Sequence, residues 1–335
     1  MNAYVKKDLR TSRGLSYRYF ASTNGDVSKP ALLLLHGWPD NAHLWQYVIP
    51  HLSSLNLRII APDLLGYGGT AKLTDLPSYN YRLMAADVIE ILDAENIITF
   101  IPVGHDFGCY FTSRINLLYP ERCVATVHVG IAYYPPAPNA MDLDAFNALF
   151  EQILGYPSWS YWYFFTDPSA HTIFSEHLER VWYALHGVPD DWMQQMFCRH
   201  DAFKNFLLGD KTVALKPYAR DESLEGAWMA DFQTGGWEAP FCWYRACIED
   251  VQLAEDKKLV EQGKGKLDMP VLFIGCDGDA VNPGTGMIEP SKQAGLLPDL
   301  TVEALHAGHW CPYETPEELA GMIVKFVRAK GFAGE

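Results

Sequence analysis

The sequence predicts an α/β protein with a mostly parallel central sheet and an inserted helical segment. Three observations carry this. Apolar runs of strand length alternate with amphipathic stretches toward both ends of the chain, and that alternation stops in the middle. The length, 335 residues, suits two domains or one large domain with an insertion, at about 100–200 residues per domain.

Taken in order, two short strands are expected near 15–21, followed by a turn at Asn24-Gly25-Asp26. Apolar runs at 31–35, 57–61, 98–103, 124–129, 271–275 and 301–305 read as buried strands. Most of them are separated by amphipathic stretches, and 81–92, 109–118 and, after the last run, 316–327 space their apolar residues as helices do. From about 132 to 247 the strand signal fades, and 25 of the 45 aromatics fall there. Within that stretch, 143–154, 168–185 and 190–208 look helical. The chain therefore divides into a core of residues 1–131 and 248–335 and a helical cap of residues 132–247. No internal repeat or low-complexity tract occurs, and 262–268 reads as a charged loop.

Composition excludes several partners. Forty-one acidic against 26 basic residues give a formal charge of −15, which repels a nucleic-acid backbone or an anionic membrane surface. The first 13 residues carry charge with no apolar stretch behind it, unlike a secretory signal. The longest aliphatic run, 31–35, is far short of the about 20 residues that span a bilayer. Seven cysteines form no C-x-x-C pair, so neither a disulfide framework nor a zinc site is signalled, and a cytoplasmic setting is expected. The remaining histidines lack metal-ligand spacing; no metal and no cofactor are expected.

Chemistry concentrates at strand ends. Strand 31–35 runs into His36-Gly37-Trp38-Pro39-Asp40, a tight turn at the carboxyl edge of the sheet, where ligands bind in such folds. Strand 98–103 leads into Gly104-His105-Asp106-Phe107-Gly108 and then a helix. That is the strand–turn–helix setting of the G-x-S-x-G nucleophile elbow with Asp in the serine position. An Asp there also suits a helix N-cap. Beyond the cap, one strand ends in Cys276-Asp277-Gly278-Asp279 and the next leads to His306-Ala307-Gly308-His309-Trp310. Nucleophile, acid, histidine is the chain order of α/β-hydrolases.

With these motifs in place, the sequence resembles the epoxide hydrolase family of the α/β-hydrolase fold over nearly its whole length. The resemblance extends into the cap, where Tyr161-Trp162-Tyr163-Phe164-Phe165 and Ala239-Pro240-Phe241-Cys242-Trp243-Tyr244-Arg245 match segments that carry the family's two cap tyrosines. It implies Asp106 as nucleophile, His309 as base, Tyr161 and Tyr244 as acids, and the backbone N–H groups of Trp38 and Phe107 as oxyanion donors. Asp279 is favoured over Asp277 as the acid behind His309, because it stands four residues before Pro283. His36, Pro39, Phe165, Trp243 and Trp310 are expected around the substrate. The Trp38-Pro39 bond is expected to be cis.

Residue chemistry points the same way. A carboxylate displaces at an epoxide carbon but is a poor acyl-transfer nucleophile, and the alkoxide released needs protonated donors such as phenols. The implied reaction opens a mainly apolar epoxide to a vicinal diol through an alkyl ester on Asp106, hydrolysed by water that His309 activates. The partners are thus a small epoxide and water. Alternatives with the same residues are an epoxide-opening cyclase, a haloalkane dehalogenase, and a non-catalytic receptor on a hydrolase scaffold. Phe107 departs from the family's commoner Trp, which counts against the dehalogenase. Cys109 and Tyr110 stand where fluoroacetate-type enzymes carry arginines.

Overall fold

A computed structural model describes residues 4–334. Among them, eight strands form one sheet in the order β1-β2-β4-β3-β5-β6-β7-β8. These are β1 (Tyr4–Arg10), β2 (Ser16–Ser22), β3 (Ala31–Leu35), β4 (Ile59–Pro62), β5 (Phe100–His105), β6 (Thr126–Val129), β7 (Val271–Cys276) and β8 (Leu300–Leu305). β1 and β2 pair antiparallel, as do β2 and β4; every pairing from β4 through β8 is parallel.

Parallel strands covered on both faces need continuous apolar sequence. β3, ALLLL, and β5, FIPVGH, are accordingly buried at every position. The covering helices present one apolar stripe each. Pro316–Ala329 starts with Pro in its first turn and buries Leu319, Ala320, Ile323, Phe326 and Val327. Tyr81–Ala94 is capped by Asn80, whose side chain accepts from the Arg82 amide.

The N-terminal strands differ from expectation. Residues 15–21 hold one strand, β2, and its partner β1 precedes it, paired Tyr4↔Ser22 through Arg10↔Ser16. β1 lies at the sheet edge, so its sequence YVKKDLR carries charge where a buried strand would not.

Between β6 and β7 the chain is helical. Leu143–Leu154 matches the expected span, but 168–185 is two helices, Ala170–Glu176 and Leu178–His186. Likewise 190–208 divides into Trp192–Phe197 and Ala202–Leu208, where Asp201 takes the left-handed conformation, φ 56°. Tyr161–Phe165, Glu222–Gly235, Glu238–Ile248 and Leu253–Glu261 complete the segment. Its aromatics pack as a cluster in which Phe165 touches Trp38, Phe174, Phe203, Phe241 and Tyr244. Trp228 ties the segment to the core by donating from Nε1 to the Pro39 carbonyl at 3.1 Å. No helix is long and apolar enough to cross a membrane among the described residues.

Candidate active site

Asp106 stands between β5 and the helix Phe107–Leu118 with φ 53° and ψ −127°, a conformation that costs a non-glycine residue about 1–3 kcal/mol. The neighbours make this turn possible. A Cβ on Gly104 would overlap the Gly108 carbonyl, one on Gly108 the Leu35 carbonyl, and one on Gly37 the Asp106 carboxylate itself. The side chain does not cap the helix; it faces the carboxyl edge of the sheet.

There its two oxygens have different partners. Oδ1 accepts the Trp38 N–H at 2.9 Å, and the Phe107 N–H also supports the carboxylate. Oδ2 lies 3.6 Å from His309 Nε2. The Trp38-Pro39 bond is cis. Behind His309, Nδ1 is 2.8 Å from Asp279 Oδ2, while Asp279 Oδ1 accepts the amides of Val281 at 2.8 Å and Asn282 at 3.2 Å. Asp277 instead pairs with His306 at 2.9 Å on the exposed surface. The structure therefore brings Asp279 to His309 and leaves Asp277 and His306 outside.

Burial and charge set the protonation of this group. Burial pushes the Asp106 carboxyl up, partly offset by His309 and by the two amides. Burial also opposes ionisation of Asp279, yet the facing imidazolium and the hydrogen bonds hold its carboxyl below the usual value. For His309, burial acts downward but the Asp279 carboxylate, its hydrogen bond and Asp106 outweigh it, and the imidazole is raised to about 9. Asp279 is thus a carboxylate facing an imidazolium at neutral pH, and that cation in turn favours the ionised form of Asp106.

A narrow void of about 10 Å³ opens at Asp106, bounded by Trp38, Tyr161, Tyr244, His309 and Trp310, with Met193, Phe197 and Val281 completing the wall. Tyr161 comes from the first turn of Tyr161–Phe165 and Tyr244 from Glu238–Ile248; their rings meet edge to face, centroids 5.8 Å apart. Burial, with the nearby Asp106 charge adding to it, drives both phenols well above 10, so both remain proton donors.

Of the residues expected around the substrate, Trp310 reaches this void. The others require correction. His36 is wholly buried between the sheet and the 63–70 loop, its Nε2 accepting from the Leu64 amide at 2.8 Å. Trp243 lies outside the void, donates from Nε1 to the Leu65 carbonyl at 2.9 Å and packs on Tyr79, Tyr81, Phe107 and Phe111. Phe165 stands one layer back, behind Trp38 and Tyr244. Pro39 contributes its carbonyl to Trp228 rather than a face to the void. Asp63 accepts the Ala42 and Gly69 amides at 3.0 and 2.8 Å and is structural.

Sequence reasoning missed Asp40. Buried, it accepts from Trp310 Nε1 at 3.1 Å and from the Tyr313 hydroxyl at 2.9 Å, and so fixes the Trp310 ring. Burial raises its carboxyl to about 7 against the pull of those two donors. Its place in the HGWPD turn marked it, but without chemistry of its own. Met193 and Phe197 share a helix face at i, i+4, which in sequence looks like any buried stripe. Among the described residues no group of three His, Cys, Asp or Glu side chains is placed to hold a metal ion.

An elbow carboxylate, a histidine–carboxylate pair in sequence order and an amide pocket define a hydrolase-type site on a hydrolase-type sheet. Consistent with this, the family model for the alpha/beta hydrolase fold matches residues 30–316, and the chain belongs to that family. Among curated relatives it is 23% identical over 306 residues to Bifunctional epoxide hydrolase 2 of Mus musculus, covering 90% of this chain and 52% of that one. It therefore spans about half the length of that relative. It is also 24% identical over 311 residues to Epoxide hydrolase A of Mycobacterium tuberculosis, covering 90% and 92%. Among solved structures, Epoxide Hydrolase A from Mycobacterium thermoresistibile superposes with a TM-score of 0.77 at 23% identity, covering 97% and 98%. An epoxide hydrolase from Vigna radiata does so with 0.78 at 21% identity, covering 98% and 99%.

Proposed function

We propose that this chain is an epoxide hydrolase. The observation that carries the reading is a single void in which the Asp106 carboxylate meets two protonated phenols, Tyr161 and Tyr244. Asp106 Oδ2 attacks an epoxide carbon and the C–O bond breaks. The phenols hydrogen-bond the departing oxygen and supply its proton. The product is a β-hydroxyalkyl ester on Asp106. Its charge is now gone, which removes one of the influences that raise His309; the imidazolium proton restores the phenol that donated, and the neutral imidazole can act as base. Water activated by His309 adds to the ester carbonyl, whose Oδ1 already lies against the Trp38 amide. Collapse breaks the ester C–O bond, and the departing alkoxide takes the proton of the new carboxyl group, which releases the vicinal diol and restores the Asp106 carboxylate with His309 again an imidazolium. Asp279 holds the His309 ring and stabilises its cation.

Residues 132–247 serve as the cap over this chemistry, and residues 1–131 and 248–335 as the core. Leu253–Glu261 goes with the core, since Asp256 pairs with Arg114 of the elbow helix at 2.8 Å. The aromatic walls suit mainly apolar epoxides. The seven cysteines are unpaired, in keeping with a cytoplasmic setting.

Trapping tests the mechanism. With His309→Gln, a stoichiometric adduct is expected on the peptide that holds Asp106. An intact mass unchanged by an epoxide the wild type turns over defeats the covalent route.

A further inference from the structure

The void at Asp106, about 10 Å³, has no room for a long substituent. A second cavity of about 350 Å³ lies beyond its wall, within the size range of ligand pockets. Tyr244 faces the void and packs edge-on, centroids 4.8 Å apart, on both Phe107 and Trp162, and these two rings face the cavity. Three rings therefore part the two spaces.

The cavity is aromatic near this partition and polar farther along the elbow helix. Tyr110 stands one turn on from Phe107, its ring stacked on that of Tyr134 with centroids 5.1 Å apart; its hydroxyl is shielded from solvent and, though turned toward the Tyr134 phenol, completes no well-formed hydrogen bond. A buried unpaired hydroxyl is costly and is met by a ligand that supplies the acceptor. The cavity's cation is already committed: Arg114 gives Nε and Nη2 to Asp256 at 2.9 and 2.8 Å and Nη1 to the Tyr134 carbonyl at 2.9 Å. Asp250 also lines the cavity, bound through Oδ1 to the Met141 amide at 3.1 Å. Two carboxylates against one spent guanidinium leave the lining net negative.

We propose that this cavity is the subsite for the larger arm of the epoxide, that it admits neutral arms carrying an acceptor oxygen and disfavours anionic ones, and that Tyr110 donates to that oxygen. The inference rests on the epoxide hydrolase reading. The arm passes where Phe107 and Trp162 meet, at the ring partition between the two spaces.

Steady-state kinetics on the full chain test it, with propylene oxide as an armless control and terminal epoxides on one medium-length alkyl chain ending in methyl, methyl ester or carboxylate. Wild type is expected to prefer the ester to the carboxylate by about tenfold in kcat/KM. Tyr110→Phe lowers the ester about fivefold, to the level of the methyl-ended chain. Asp250→Asn, which keeps the acceptor for Met141 and tolerates the positive φ there, recovers about threefold on the carboxylate. Ala140→Trp, at the exposed rim, depresses all armed substrates relative to propylene oxide. Propylene oxide turnover retained while none of the three variants alters the ratios among substrates overturns the subsite and leaves the reaction standing. Wild type that hydrolyses none of these epoxides overturns both.

Discussion

The Trp38 amide holds Oδ1 of Asp106 at 2.9 Å, while Oδ2 lies 3.6 Å from His309 Nε2 and is the oxygen that attacks in the proposed reaction. The two oxygens are thereby given separate tasks before any substrate binds. Once Oδ2 is alkylated, Oδ1 is the ester carbonyl and already sits where an oxyanion donor is needed.

In the proposed mechanism the phenols act on the first half of the reaction. Tyr161→Phe and Tyr244→Phe are each expected to slow alkylation by about 10²-fold, and the double variant far more, because a single remaining phenol still donates. Single-turnover adduct formation measures this. Two singles at wild-type rate would remove the tyrosines from the mechanism.

Asp279 and Asp277 are two residues apart but differ in environment. Asp279→Asn is expected to slow ester hydrolysis by about 10³-fold or more and to let the adduct accumulate. Asp277→Asn, whose partner His306 is exposed, should leave both steps near wild type. Burst and steady-state rates distinguish the two, and the opposite pattern would reverse the assignment.

Stability should respond to pH through His309. Its folded value of about 9 lies above the unfolded value of about 6.5, so the folded state binds the proton more tightly. The stabilisation is complete below the unfolded value and is lost as pH rises through about 9. The urea midpoint is expected to fall over that window in wild type and to fall less in His309→Gln. Equal slopes would remove His309 as the cause.

Arg114 and Asp256 form a bidentate pair with both side chains largely buried. Asp256→Ala strands the guanidinium and is expected to cost about 3–5 kcal/mol in urea unfolding. A loss under 1 kcal/mol, on the order of a surface pair, would show that water reaches the site.

Where the sequence was legible, one residue type served one physical demand. The runs at β3, β5 and β7 are buried on both faces and could be nothing else, and the small residues around Asp106 mark a turn that larger ones would block. β1 was not legible, because an edge strand with exposed lysines lacks a buried run. The helix breaks near His177 and Asp201 were hidden by apolar spacing that continues across them. The residues that chemistry named, Asp106, Asp279, His309 and the two phenols, are ones the structure brings together. The site was read poorly where the neighbours decide direction. Trp243 sits beside Tyr244 in sequence, yet successive helical positions face different ways, so one ring lines the void and the other enters the core.

The order of strands also divides the reaction in time. Asp106 and the amide that cradles it come from β5 and β3, adjacent in the sheet, whereas Asp279 and His309 follow β7 and β8 at the far side. In the proposed reaction Asp106 forms the covalent bond, and breaking it needs the distal pair together with the Trp38 amide. A lineage that lost the distal pair while keeping the proximal one would cease to turn over and would instead be branded permanently by each ligand it met. In this architecture the difference between an enzyme and a single-use covalent receptor rests on one edge of the sheet.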